Sequence, residues 1–104
     1  MRQSVRCHAV ITPDGVCGNA VISYDGPQLP PHGMALTVMP DNISVMPFMG
    51  EIHSTVDYNG IAVVGDMPGI SDLSLTVDTL PSVVDRIKSS LRPPLTTIHF
   101  IPLG

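Results

Sequence analysis

Residues 78–94 read DTLPSVVDRIKSSLRPP, and this stretch decides the fold class. Thr79, with Asp78 beside it, is placed to cap a helix, and Pro81 falls in the first turn, where a missing N–H costs nothing. Leu80, Val84, Ile87 and Leu91 recur at helical spacing and form one apolar stripe, with Val83 at its edge. Asp85, Arg86, Ser89 and Ser90 lie off the stripe. Lys88 and Arg92 sit near the C-terminal end, where positive charge suits the helix dipole, and Pro93-Pro94 stops the helix. The spacing predicts one amphipathic helix over about 79–91.

Outward from that helix the chain reads as short strands punctuated by eleven prolines and nine glycines. Residues 4–12 and 16–24 form an expected hairpin around Pro13-Asp14-Gly15. After the proline-rich loop 25–33, residues 34–39 and 43–48 form a second expected hairpin around Pro40-Asp41-Asn42. Residues 52–58 alternate in polarity and lead to Asn59-Gly60, a strong hairpin signal. Residues 61–65 would return; they are apolar on both faces, as in a central strand. Asp66-Met67-Pro68-Gly69 is a turn, residues 73–77 alternate again with Leu73, Leu75 and Val77 inward, and 96–101 is a last strand. One helix among many strands, without a βαβ rhythm, predicts an α+β fold with a mostly antiparallel sheet. Its order is two hairpins followed by β-β-β-α-β. At 104 residues the chain is one domain, hairpin-rich over 1–50 and β-β-β-α-β over 51–104.

Composition narrows the partners. Hydrophobic residues are 43% and charged residues 13%, so the chain has material to bury and little charge to hold it open. Five basic residues against nine acidic give a net charge of −4, which disfavours nucleic acid as a partner. No apolar run approaches the ~20 residues of a membrane span, and the first fifteen residues do not read as a signal peptide. With Asp14-Gly15 as a two-residue loop, Thr12 lies opposite Cys17 and Cys7 opposite Ile22. The two thiols then point to opposite faces and stay unpaired, which fits a reducing, cytoplasmic setting.

Candidate chemistry is sparse. His8, His32, His53 and His99 are scattered without metal-ligand spacing, so no metal or other cofactor is expected. Asp57 and Asp66 lack the proximity an acid–base pair needs, and Asp66 is better explained by accepting amide hydrogens in its own turn. No nucleophile elbow or phosphate loop occurs. The methionines are more informative. Met34, Met39, Met46 and Met49 cluster with Phe48 in a segment whose only charge is Asp41. Such a segment is core filler or a contact surface, and a chain this short has little capacity to bury it.

Residues 58–91, YNGIAVVGDMPGISDLSLTVDTLPSVVDRIKSSL, resemble the core of the HicB-type antitoxin family and its small relatives. Asp66, Pro68 and Gly69 match that pattern's turn, Asp78, Thr79 and Leu80 its cap, and Val84, Ile87 and Leu91 its helix stripe. Over fifty residues precede the matching part, and Pro81-Ser82 replaces the family's usual residues after the cap. The resemblance implies a protein that covers a small toxic ribonuclease. The expected function is non-catalytic: binding of a protein partner or self-association, a dimer first of all, through Met34, Met39, Met46, Phe48 and Met49. Two alternatives stand beside it. One is a self-assembling structural component; the other is a small oligomeric enzyme using His53 or His99 at a subunit interface.

Overall fold

The computed structural model describes residues 2–26, 35–37, 42–50, 55–92 and 97–104. The fold is α+β, with one sheet and one helix, as the helix stripe predicts. The strands are β1 (Arg2–Thr12), β2 (Gly15–Asp25), β3 (Ala35–Thr37), β4 (Ser44–Pro47), β5 (Thr55–Asp57), β6 (Gly60–Val64) and β7 (Thr97–Pro102). The helix α1 spans Leu80–Ser90. The sheet order is β3-β7-β6-β1-β2-β4, with β5 also on β1. Pairing is antiparallel except where β5 and β6 run parallel to β1.

β6 is central, and all five of its residues are buried. Its side chains serve two cores, because successive strand residues face opposite sides. Ile61 and Val63 join Ala9, Ile11, Leu75 and Ile101 under the helix, against Leu80, Val83, Val84, Ile87 and Leu91. Ala62 and Val64 join Val5, Cys7, Ile22, Tyr24, Tyr58, Ile98 and Phe100 on the other face. There the Phe100 ring lies 5.9 Å from Tyr24 and 5.6 Å from Tyr58. β7 and β2 are separated by β6 and β1, about 14 Å in a flat sheet. The Tyr24–Phe100 contact therefore places the rings inside a curled, concave face.

Several local expectations are corrected. In the first hairpin the loop is Pro13-Asp14, so Thr12 pairs with Gly15, Val10 with Cys17 and Cys7 with Ala20. Proline suits the first loop position of a type I turn and glycine the residue after the loop. Gly15, at φ +153, fills that place, and Thr12 Oγ1 accepts the Asp14 amide at 3.2 Å. Both cysteines are free, yet Cys17 packs against the same concave core that holds Cys7, rather than the opposite face.

The second hairpin does not form between its two halves: β3 pairs with β7 and β4 with β2, at opposite edges of the sheet. Asn59-Gly60 is not a hairpin turn. β5 and β6 follow β1 in the same direction, with Ser4 beside Thr55 and Ala9 beside Ile61. The offset grows from 51 to 52, so one extra residue is bulged out between them. Gly60 is there for closeness, since a Cβ would overlap the Ile101 carbonyl and the Tyr58 ring. Finally, 73–77 is no strand. Only Leu75 bridges to Leu103, and Val77 is exposed. Thr79 occupies the N-cap position without capping; its hydroxyl instead accepts the Thr76 amide at 2.9 Å.

Candidate functional site: a polar cleft beside a methionine-bearing edge

Three neighbouring strands break at one level. On β1 the concave face is served by Val5 and Cys7, then by Val10; on β2 by Cys17, then by Ala20 and Ile22. Alternation slips on both strands around His8 and Asn19, the one rung of the ladder between Cys7–Ala20 and Ala9–Gly18 that is unpaired. Asn19 absorbs the slip in the left-handed region, at φ 51, which asparagine tolerates better than most residues. Beside them lies the β5–β6 bulge at Tyr58-Asn59. The breaks leave a cleft of about 280 Å³ lined by Arg6, Cys7, His8, Asn19, Asp57, Tyr58 and Asn59.

The polar groups of the cleft hold one another. Arg6 Nε donates to Asn19 Oδ1 at 3.0 Å, and Arg6 Nη1 lies 3.7 Å from Asp57 Oδ1. That ion pair is exposed and contributes under about 1 kcal/mol. The Arg6 guanidinium also sits 4.1 Å above the Phe48 ring, and the Phe48 amide donates to the Asn19 carbonyl at 2.9 Å. His8 Nε2 and Asn59 Oδ1 are 3.0 Å apart. The amide oxygen can only accept, so the ring donates from Nε2 and keeps Nδ1 as its open acceptor in the neutral form.

Cys7, His8 and Asn59 superficially resemble a nucleophile, base and orienting group. The chemistry does not follow. Cys7 is buried, and burial pushes its thiol up to about 12. At neutral pH it holds no thiolate to attack with. Burial, then the neighbouring Cys7, push the Tyr58 hydroxyl up to about 12 as well, and among the described residues that hydroxyl has no hydrogen-bond partner. Neither Cys7 nor Tyr58 is ionised near neutral pH, so the polar groups the cleft presents are Arg6, His8, Asn19, Asp57 and Asn59. Among the described residues no three His, Cys, Asp or Glu side chains could together hold a metal ion.

β4 runs beside the cleft. Among the described residues it pairs only with β2. Ile43 and Val45 pack against the concave core, whereas Met46 is 45% and Met49 86% exposed. Phe48 lies between them over Arg6, half-buried. Of the expected contact residues, Met46 and Met49 are exposed and Phe48 is half-buried; Met34 and Met39 lie outside the described residues, as does His53. His99 lies half-buried near Asp66, at 3.7 Å, on the helix side of β7 and away from the cleft. Asp66 Oδ1 accepts the Met67 amide at 2.9 Å, and Gly69, at φ 76, admits the 3₁₀ turn Ile70–Asp72 behind the exposed Pro68. Asp78 is exposed at the entry of α1.

Sequence reasoning missed the cleft. Its signal was present in Gly18-Asn19, a pair that interrupts an otherwise strand-like run and so marks a bulge or bend. No family model, no curated protein and no solved structure matches this chain. No helix among the described residues is long and apolar enough to cross a membrane.

Proposed function

We propose that this chain is a non-catalytic protein-binding module whose contact surface is β4 and the polar cleft beside it, and that its first partner is a second copy of itself. The observation that carries this proposal is the exposure of Met46 in β4 and of Met49 just beyond it, beside a strand that among the described residues pairs only with β2. An edge strand offers unpaired N–H and C=O groups to an incoming strand, and proteins that do not use such an edge usually protect it with charge. From Asn42 to Gly50 there is no charge, and the strand's one proline, Pro47, is its last residue. An uncharged, apolar edge is complementary to its own copy, which suits an isologous two-fold dimer. The cleft would supply the polar rim around this apolar centre, through Arg6, His8 and Asp57.

Sedimentation equilibrium across micromolar concentrations tests the proposal. The expected result is a dimer of the 11.1 kDa chain, dissociated by Met46→Lys with Met49→Lys while the far-ultraviolet circular dichroism stays unchanged. A concentration-independent 11.1 kDa wild-type species would overturn it. Recovery of a small basic ribonuclease-like protein bound to this edge, in place of a second copy, would move the assignment to the antitoxin-like role that the resemblance of residues 58–91 implies.

A further inference from the structure

The chain is acidic overall, but its basic residues are not evenly spread. Three of the five, Arg86, Lys88 and Arg92, fall within seven residues at the end of α1. The ion pairs among the described residues are Arg6–Asp57 and His99–Asp66, so none of these three has a carboxylate partner among the described residues. Arg86 and Arg92 line a second groove, of about 310 Å³, with Met67, Pro68, Ser89, Ser90 and Leu91. Its position is set by backbone pairing. The Asp66 amide donates to the Arg92 carbonyl at 2.9 Å, and the Arg92 amide to the Asp66 carbonyl at 2.8 Å. These bonds bring the Met67-Pro68 turn against the last turn of the helix.

We infer that this groove binds the phosphate of a small phosphomonoester. Two guanidinium groups present forked N–H donors that match phosphate oxygens, and two positive charges match a dianion. The negative end of the helix dipole, about half a charge, opposes an anion here, but two arginines outweigh it. Ser89 Oγ already donates to the Asp85 carbonyl at 3.0 Å, so Ser90 supplies the open hydroxyl. Pro68 and Leu91 provide an apolar wall for the organic part of an ester, which inorganic phosphate would not use. The groove lies on the helix side of the sheet, whereas β4 packs on the concave side, so this inference is independent of the edge contact.

The test is a nuclear magnetic resonance titration of the amides of residues 67, 68's neighbours and 86–92, at constant ionic strength, with phenyl phosphate, inorganic phosphate, dimethyl phosphate and chloride. Phenyl phosphate is expected to saturate, with affinity reduced about tenfold or more by Arg86→Gln with Arg92→Gln and little changed by Lys88→Gln. Both arginines are exposed, so the double variant keeps its fold, and its unperturbed spectrum elsewhere checks this. Inorganic phosphate binding as tightly as phenyl phosphate would overturn the assignment to an ester. Dimethyl phosphate binding equally well would overturn the requirement for a dianion. Non-saturating shifts, or equal affinity in the double variant, would overturn the site.

Discussion

The two faces of the sheet are built on different plans. The helix face is covered by one local segment: α1 follows β6 and precedes β7, and its stripe of Leu80, Val83, Val84, Ile87 and Leu91 packs on aliphatic residues. Among the described residues no helix covers the concave face. It gathers Tyr24, Tyr58 and Phe100 from β2, the β5–β6 bulge and β7, segments far apart in the chain. The difference teaches that an amphipathic helix covers its face by a periodicity visible along the chain. A curled face closes only when distant rings converge, and no local pattern announces that. The cleft and the methionine edge both belong to the second plan.

The sharpest way to break this comparison is at the residue where the faces are held together. Gly60→Ala places a Cβ against the Ile101 carbonyl and the Tyr58 ring, so β6 and β7 must separate. A loss above about 4 kcal/mol in urea denaturation is expected, with the variant unfolded at room temperature if the fold has ordinary stability. A loss below about 1 kcal/mol would mean that β7 does not pack so closely there. A smaller effect sharpens the comparison. Phe100→Ala is expected to cost about 3–5 kcal/mol, because it removes both ring contacts from the concave face. Ile87→Ala, equally buried under the helix, should fall lower, at about 2–4 kcal/mol. The reverse order would show the helix face to be the denser core.

The smallest effect is a pH dependence. Burial lowers the His99 imidazole from its ordinary value of 6.5, and Asp66 at 3.7 Å partly raises it again. The folded chain then resists a proton that the unfolded chain accepts. Stability contributed by neutral His99 is present above 6.5 and is lost as pH falls from there toward the lowered folded value. His99→Gln should flatten that part of the stability curve by no more than one proton's slope. An unchanged slope in the variant would remove His99 as its source.

How much of this was legible follows from the range of the interactions involved. The helix over Leu80–Ser90 and the central position of β6 could be read directly, because the apolar stripe and the two-sided apolarity are local consequences of a 3.6- or 2-residue repeat. The free cysteines were foreseen for a reason that did not hold, since Cys17 shares the concave side with Cys7. The loop at Pro13-Asp14 was within reach of the sequence too, given proline's fixed φ and the place of glycine after it. Asn59-Gly60 misled for the opposite reason. The same dipeptide that favours a hairpin also provides the absent Cβ that a closely paired neighbouring strand needs, and only the arrival of β7 at Ile101 distinguishes the two. Likewise, Ser44–Pro47 carries its strand pattern openly, but its partner is β2 rather than its neighbour in sequence. Which edges meet, which rungs slip and where a cleft opens are decided by contacts between residues tens of positions apart. Those contacts exist only once the sheet has curled.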